Sequence, residues 1–474
     1  MLTAQARAHS DHVWTNDILP ALHDYIAIPA LSRAFDADWE RTGHLERAVQ
    51  LIHDWCAARP IPGLAIDVQR LPGRTPLIVI EVPATAGAHG DDTVVIYGHL
   101  DKQPEMVGWR VGLAPWTPVL EGDRLYGRGG ADDGYSAFAS LAAIEAVHAA
   151  GGEHCRCVVL IEASEESGSP DLPAHVEALA TRIGTPSLVL CLDSGCADYD
   201  RLWVTSSLRG LCGGTLTVRM LTEGVHSGDA SGAVASTFRI ARQLLSRIED
   251  ETSGAIRIAE CYADIPADRR TEAADVAAVL ADGLTVPFPF VPGGRPTSAD
   301  PTEHLLVRTW MPTLSITGAD GLPSTTKAGN VLRPFTSLQL SIRLPPTVDA
   351  HRALEAITAA LTASPPYGAD VTFNGAEAAS GWNAPTFEPW LWDSLQRASV
   401  AQFGAPALVY GEGGTIPFMG MLGAKFPAAQ FVVTGVLGPG ANAHGPNEYL
   451  HIPTARKLTA TLADVLDDHA RRAR

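Results

Sequence analysis

The chain has few cysteines for its length and few basic residues relative to acidic ones. Its 474 residues include only seven Cys, an odd number scattered along the sequence. Secreted disulfide scaffolds are short and cysteine-dense, so this pattern favours reduced thiols in a cytosolic protein. Lys and Arg total 35 against 53 Asp and Glu, for a formal net charge of -18. A surface so poor in positive charge argues against a nucleic-acid partner and against docking on anionic membrane lipid.

The sequence also lacks long apolar segments. No run approaches the length that spans a bilayer. The start, MLTAQARAHSDHVW, has no basic segment followed by an apolar one, so no secretory signal is evident. We therefore expect a soluble, cytoplasmic protein that is long enough for two or three domains. The net charge would tolerate a small substrate with a positive or neutral end, or a site that concentrates metal cations.

Apolar strands and helices alternate between about residues 75 and 205. The apolar runs are rich in Val, Ile and Leu, as strands buried on both faces are. The Ala-rich segment 135–150 has apolar residues at helical spacing and ends at a Gly-Gly stop. This alternation predicts a mostly parallel sheet covered by helices. The four apolar runs lie at 76–82, 93–100, 157–163 and 187–193.

After about residue 205 the pattern changes to half-exposed strands and amphipathic helices. Apolar and polar residues alternate at 338–344, which predicts a strand with one solvated face. From about residue 381 the chain returns to helices and a buried strand at 431–438. We therefore predict an α/β catalytic domain, a mixed sheet covered by helices, with an inserted α+β lid. The first catalytic part, the lid and the second catalytic part are predicted at 1–205, 206–380 and 381–474.

Acidic and histidine side chains fall where the buried strands end, and one further carboxylate opens a helix. Open α/β sheets bind ligands at the carboxyl ends of their strands, so residues distant in sequence should converge on one crevice. Alone, each motif has a plain structural interpretation, such as a helix N-cap for Asp132. The joint pattern is what favours a site. Its residues are His99, Asp101, Asp132, Glu165, Glu166, Asp193 and His444.

Two imidazoles and three carboxylates without a thiolate suit Zn²⁺, and also Mn²⁺ or Co²⁺. Five ligands exceed one open catalytic zinc and fit two metals that share a carboxylate, for which Asp132 is the natural bridge. Asp101 lies two residues after His99 and could fix the tautomer of that imidazole. Of Glu165 and Glu166, only one need bind metal, and the other is free to move protons.

A different interpretation of GRGGADDG is a dinucleotide-binding loop. That loop requires Gly or Ala at its sixth position, where this chain has Asp132. The dinucleotide interpretation is therefore rejected.

Five motifs together resemble a known family. YGHLD (97–101), GRGGADDG (127–134), EASEESGS (162–169), LDSG (192–195) and AHGPNE (443–448) are similar to the ordered motifs of the co-catalytic di-zinc aminoacylase, carboxypeptidase-G, desuccinylase and carnosinase family. The likeness is closest to the carnosinase-type dipeptidase branch. Many members have Asp-Asp-Lys-Gly where this chain has Asp-Asp-Gly-Tyr, a departure that leaves the bridging Asp in place.

The resemblance implies roles for the site residues. One metal takes His99, Asp132 and Asp193, and the other takes Asp132, Glu166 and His444. Asp101 supports His99, and Glu165 is the general base. The implied fold is a catalytic α/β domain with an inserted dimerisation lid.

The resemblance also extends to the lid and the substrate loop. His226, in EGVHSGDASG, looks like the family histidine that reaches a neighbouring subunit's active site and stabilises the oxyanion. Asn330 and Arg343 match lid positions that hold the substrate, with the planar fork of Arg343 on a terminal carboxylate. EGGTIP (412–417) resembles the substrate loop, where Gly414 and Thr415 offer donors.

The resemblance implies a metal-dependent hydrolase that cleaves the amide bond of dipeptides or similar small peptide-like substrates. Two alternatives stay open at this point. One is an N-acyl amino acid deacylase or desuccinylase with the same machinery, and the other is a catalytically silent binding protein. A homodimer formed through the lid is the expected assembly.

Overall fold

A nine-stranded sheet forms the centre of the molecule in the computed structural model, which describes residues 2–88, 92–285 and 288–473. Eight of its strands are neighbours in the order Ala65–Gln69, Leu77–Val82, Arg156–Glu162, Thr93–His99, Leu188–Cys191, Gln430–Val433, Trp203–Leu208 and Trp382–Asn383. The ninth strand, Leu408–Glu412, also pairs with Trp203–Leu208.

The four central strands of this sheet, from Arg156–Glu162 to Gln430–Val433, run parallel. The pairings on either side of them are antiparallel. The prediction of a mixed α/β sheet is confirmed, and the expected parallel order holds at its centre. Because parallel strands end at the same edge, the residues that follow His99, Glu162 and Cys191 are brought together there.

Helices cover both faces of the sheet, and successive strand residues enter different cores. Ile78 and Ile80 pack into the larger core, whereas Leu77 and Val79 pack into the smaller one. The main helices of this part are Thr3–Val13, Leu19–Ile26, His44–Ala57, Tyr135–Ala149, Leu172–Ala178, Pro389–Gln402, Pro417–Lys425 and Ile452–Arg471.

A second, four-stranded antiparallel sheet lies between residues 210 and 379. The predicted alternation is confirmed in its strand Phe335–Leu344, where Leu340 and Ile342 are buried and Gln339 is exposed. Helices Thr237–Ile248 and Ala350–Thr362 share a core with this sheet. Its strands, in spatial order, are Thr313–Asp320, Phe335–Leu344, Gly210–Arg219 and Asp370–Ala379.

Two helices that lie in sequence between strands of the four-stranded sheet pack on the nine-stranded sheet. Helices Ala267–Leu280 and Pro301–Trp310 contact strand Leu408–Glu412, and a cluster that includes Val276, Leu306 and Trp310 reaches Trp203. The lid boundaries at 206 and 380 stay predictions, and these two helices, which lie inside the predicted lid, pack on the large sheet. In the described part of the chain, no helix has the length and apolar character needed to cross a membrane.

Two small sheets complete the fold. Val119–Glu121, Arg124–Tyr126 and Tyr449–His451 form one of them, which ties the chain after His444 to the chain before Asp132. Val225–His226 and Val331–Leu332 form the other.

Candidate metal centre

The ends of two parallel strands and the start of a helix bring together the first group of ligand atoms. His99 is the last residue of its strand, Asp193 lies two residues beyond Cys191, and Asp132 lies just before helix Tyr135–Ala149. The Nε2 atom of His99 lies 3.2 Å from Oδ1 of Asp132 and 3.7 Å from Oδ1 of Asp193. One atom from each residue lies within 4.8 Å of the others, and all three residues are buried. This spacing suits three ligands of one ion.

A second group shares Asp132 with the first. The Nε2 atom of His444 lies 3.0 Å from Oδ2 of Asp132 and 3.3 Å from Oε2 of Glu166. These three residues also offer ligand atoms within 4.8 Å of one another. The two carboxylate oxygens of Asp132 therefore face different histidines. A carboxylate in this arrangement can bridge two cations.

The local backbone aims both Asp132 and His444 into the crevice. Helix Tyr135–Ala149 begins three residues after Asp132, whose own dihedral angles are not helical, and the peptide bond to Asp133 is cis. The backbone amide of His99 donates to Oδ2 of Asp133 at 3.1 Å, which ties the strand end to this turn. His444 adopts a left-handed conformation, with φ of 63°, in the loop before strand Tyr449–His451.

The carboxylates of the crevice repel one another in the absence of a cation. Burial, followed by the negative charge of Asp193, raises the pKa of Glu165 well above its usual range. Burial and Asp132 raise the pKa of Glu166 in the same way. Burial also acts on Asp132, but hydrogen bonds from His444 and His99 outweigh it and hold its pKa below the usual value. A buried site with this many carboxylates favours cation binding, because a bound cation offsets the repulsion between them.

The donor set fits a divalent transition metal. Two imidazole nitrogens and three carboxylates provide the mixed nitrogen and oxygen ligands that Zn²⁺, Mn²⁺ and Co²⁺ accept. His99, Asp132 and Asp193 would hold one ion, and Asp132, Glu166 and His444 would hold another.

Asp101 connects His99 to the loop that carries the tandem glutamates. The Nδ1 atom of His99 lies 3.1 Å from the backbone oxygen of Asp101 and 3.5 Å from its Oδ1 atom. The Asp101 carboxylate accepts hydrogen bonds from the backbone amides of Glu165 and Glu166, each at 3.1 Å. The nearest acceptor for Nδ1 of His99 is thus the backbone carbonyl of Asp101, and the Asp101 carboxylate lies slightly farther away. Either acceptor would leave Nε2 free to bind metal.

Glu165 and Glu166 differ in what they face. The side chain of Glu166 meets His444 and accepts a hydrogen bond from Nε2 of Gln103 at 2.6 Å. Glu165 belongs to neither ligand group, and its Oε2 atom lies 4.0 Å from Nε2 of His99. Glu165 thus lies beside the ligand groups, where a proton-transfer residue would be needed.

A buried ion pair that the sequence analysis did not single out joins the two loops of the site. Arg128 Nη1 donates to Glu448 Oε2, and both side chains are almost fully buried. Glu448 also accepts from the backbone amide of Gly129 at 2.9 Å, and Arg128 donates to the carbonyl of Gly445 at 2.9 Å. These contacts hold the loop of His444 against the loop of Asp132. Both residues lie inside quoted motifs, but their partnership spans 320 positions, which local spacing does not reveal.

Replacing Glu448 by Gln should destabilise the protein by roughly 3–5 kcal/mol, the cost of removing one partner from a buried pair. Arg128 would keep its charge in a buried position without a counter-ion. Chemical denaturation measures the loss. Asp468→Asn, which breaks the more exposed pair with Arg397, is the control and should cost far less. A Glu448→Gln variant as stable as the control would contradict the role given to this pair.

The lid residues His226 and Asn330 lie together but not in the metal centre of the same chain. His226 pairs with Val331 across a two-stranded sheet, and the amide of Ser227 donates to the carbonyl of Asn330 at 2.9 Å. The His226 side chain is 67% exposed, and its Nδ1 atom lies 3.6 Å from Oδ2 of Asp229. Within the described chain, no hydrogen bond connects either residue to the ligand groups.

Arg343 and the loop at 412–415 are in direct contact. The Nη1 atom of Arg343 donates to Oγ1 of Thr415 at 2.7 Å. Thr415 in turn donates to the backbone oxygen of Arg209 at 2.7 Å, and Gly414 is exposed beside it. Arg343 therefore faces the loop with most of its donors uncommitted.

Comparison with known sequences agrees with the motif resemblance. The family model of Peptidase family M20/M25/M40 matches residues 95–468. A cysteinylglycine-S-conjugate dipeptidase of Corynebacterium striatum is 28% identical over 412 residues, which cover 83% of this chain and 84% of the relative. A Cys-Gly metallodipeptidase of Schizosaccharomyces pombe is 26% identical over 351 residues, which cover 71% and 72%.

Solved structures share the fold. The dipeptidase Dug1p of Saccharomyces cerevisiae superposes with a TM-score of 0.80 and 21% identity, and the alignment covers 99% of both chains. Human carnosine dipeptidase 1 gives the same TM-score with 20% identity, over 100% of this chain and 99% of the other. The predicted resemblance to the carnosinase-type dipeptidase branch is confirmed.

Proposed function

Because this chain belongs to Peptidase family M20/M25/M40, whose metallopeptidases use divalent metal ions, we propose that it hydrolyses dipeptides with two bound Zn²⁺ ions, or Mn²⁺ or Co²⁺ in their place. The observation that carries the proposal is the position of Asp132. Its two oxygens face His99 and His444, which belong to separate ligand groups. The dipeptidase activities named for the relatives from Corynebacterium striatum and Schizosaccharomyces pombe support the substrate class.

The metal ions, when bound, lower the pKa of water and polarise the scissile carbonyl. Glu165 takes a proton from the attacking water and passes it to the leaving amine, because its carboxylate lies beside the ligand groups without belonging to them. Arg343 and Thr415 hold the terminal carboxylate of the substrate, with Gly414 beside it. Asn330, which lies next to His226, contacts the substrate together with that histidine from the neighbouring subunit.

The test is an assay of the purified protein on dipeptides, before and after metal removal. We expect chelation to abolish hydrolysis, since the site would lose the charge that activates water, and Zn²⁺, Mn²⁺ or Co²⁺ to restore it. N-acyl amino acids belong in the same assay, because a deacylase would use the same centre. Activity on acyl amino acids alone would replace the dipeptidase assignment by the alternative, and metal-independent hydrolysis would overturn the proposal.

We also propose that the protein is a homodimer in which His226 completes the partner's site. The exposed position of His226 supports this proposal, because a histidine that stabilises an oxyanion must lie next to a metal centre. Among the described residues, no hydrogen bond or ion pair joins His226 to the ligand groups of its own chain. A cytoplasmic location is proposed as well, supported by seven cysteines that are all free and buried.

Subunit mixing tests the role of His226. Separately, His226→Ala and Glu165→Gln should each be nearly inactive. Mixed dimers should regain activity, because one of the two sites would combine an intact Glu165 with an intact histidine from the other subunit. Activity is measured after the two variants are unfolded and refolded together. Size-exclusion chromatography with light scattering gives the oligomeric state, and a monomer with full activity would contradict the proposal.

A further inference from the structure

Three arginines lie beside the loop at 412–415: the side chains of Arg209 and Arg343 donate to Gly413 and Thr415, and the backbone oxygen of Arg308 lies near Gly413. We call Arg209, Arg308 and Arg343 the arginine cluster. All three are half-buried, and within the described residues none forms an ion pair with Asp or Glu. Half-buried charges of one sign that no counter-ion neutralises repel one another. The cluster therefore holds more positive charge than its surroundings balance.

Neutral groups fix two members of the cluster in place. Arg209 donates from Nε to the carbonyl of Gly413 at 3.1 Å and from Nη1 to Oγ1 of Thr313 at 3.2 Å. Thr313 is the cross-strand neighbour of Arg343, which itself donates to Thr415. A carbonyl and two hydroxyls orient these guanidiniums but do not neutralise them. Both keep donors for a ligand, since a guanidinium has five N–H groups.

Arg308 adds a third charge to the cluster from helix Pro301–Trp310. Its guanidinium lies 5.0 Å from the ring centre of Phe288, and no hydrogen bond joins it to a described residue. Burial lowers the pKa of Arg308, and the neighbouring Tyr410 and Glu412 raise it. The Oε1 atom of Glu412 already accepts from the hydroxyls of Ser194 and Tyr410, and from Thr205. Glu412 therefore lies near Arg308 without an ion pair among the described residues, and its single negative charge is fewer than the three positive charges of the cluster.

The pKa of Arg209 is lowered, as expected for a half-buried guanidinium near other positive charges. Burial, then the charges of Arg343 and Arg308, lower the pKa of Arg209 to about 10. A Cβ atom built on Gly413 would come within 3.1 Å of Arg209 Nη2, so the loop passes close to this guanidinium. Any substrate that lies on the loop at 412–415 would meet two or more guanidiniums.

We propose that the arginine cluster binds a second carboxylate of the substrate, so that the preferred dipeptides end in Asp or Glu. The inference rests on the proposed function, in which Arg343 holds the terminal carboxylate. One substrate carboxylate and Glu412 supply two negative charges against three guanidiniums, so one positive charge stays unbalanced. A side-chain carboxylate next to the terminal one supplies the missing negative charge, and the guanidinium fork matches its geometry. The net charge of -18 does not oppose this, because solvent ions screen distant surface charges.

The experiment compares two substrates of nearly equal shape, Ala-Glu and Ala-Gln, on the metal-loaded protein. We expect kcat/KM for Ala-Glu to be higher by about tenfold or more, the lower bound for a hydrogen bond to a charged group. Equal kcat/KM values would overturn this inference and leave the dipeptidase proposal standing. If the protein hydrolysed neither of these peptides nor any other dipeptide, the dipeptidase proposal itself would be wrong.

Variants test whether the cluster is the cause of the preference. Arg308→Met and Arg209→Met should each move the ratio of kcat/KM values towards one, mainly through KM. Arg257→Met is the matched control, because Arg257 is an exposed lid arginine paired with Asp250, and it should keep the wild-type ratio. Arg209 anchors the loop, so its variant also tests the fold. Arg308, whose side chain forms no hydrogen bond with a described residue, therefore decides the outcome. A wild-type ratio in Arg308→Met would overturn the role of the cluster.

Discussion

Replacement of Glu165 by Gln should lower kcat by ~10²-fold or more, the scale of a positioned acid–base group, while the metal content stays that of the wild type. Glu165 lies beside both ligand groups and is a member of neither. The amide has nearly the volume of the carboxylate, so the packing of the site should persist. What it lacks is the ability to take a proton from water.

Two measurements separate this effect from damage to the site. Metal analysis after dialysis should give the same stoichiometry in the variant and the wild type. Glu40→Gln, at an exposed position far from any ligand motif, should keep wild-type kcat. Near-normal turnover in Glu165→Gln would remove Glu165 from the proton-transfer role, and lost metal would reassign it as a ligand.

Strand and helix positions could be predicted because their residues have a single structural preference. The run TVVIYGH, buried at every position, forms the strand Thr93–His99, and the Ala-rich segment forms the helix Tyr135–Ala149. The strand predicted at 431–438 is shorter, Gln430–Val433. Gly435 follows it so closely against the backbone of Ser194 that a Cβ atom there would lie 1.9 Å from the carbonyl oxygen. An apolar run does not reveal such an approach.

The metal centre was accessible to sequence reasoning for a different reason. His99 ends a parallel strand, and Glu166 and Asp193 follow two others of the same sheet, so topology brings these three ligands to one edge. The arginine cluster was not accessible in this way. Arg209, Arg308 and Arg343 come from a strand end, a helix and a second sheet, and no periodicity connects those elements. Only Arg343 was singled out, through the family resemblance.

For the ion pair of Arg128 and Glu448, the sequence indicates that both residues lie near the site but not that they contact each other. Each residue is next to a predicted ligand motif, but a charged residue in a Gly-rich loop gives no sign of burial. The contact depends on the three-stranded sheet that joins Arg124–Tyr126 to Tyr449–His451. Those strands are three residues each, too short to be recognised from apolar periodicity.

Asp132→Ala should remove both metal ions, whereas Asp193→Ala or Glu166→Ala should remove only one. The reason is that Oδ1 of Asp132 faces the group with His99 and Asp193, and Oδ2 faces the group with His444 and Glu166. We expect Asp132→Ala to lower the affinity for both ions by more than the ~10–100-fold that loss of a residue supporting a metal ligand costs. Circular dichroism should show that each variant folds.

Metal stoichiometry after extensive dialysis distinguishes a bridge from an ordinary ligand. The wild type should keep two ions per chain, Asp193→Ala and Glu166→Ala should keep one, and Asp132→Ala should keep none. Thermal stability should follow the same order, since bound cations neutralise carboxylates that otherwise repel one another in a buried crevice. If folded Asp132→Ala retained two ions, or if the wild type bound a single ion, the shared carboxylate would not be the basis of this site.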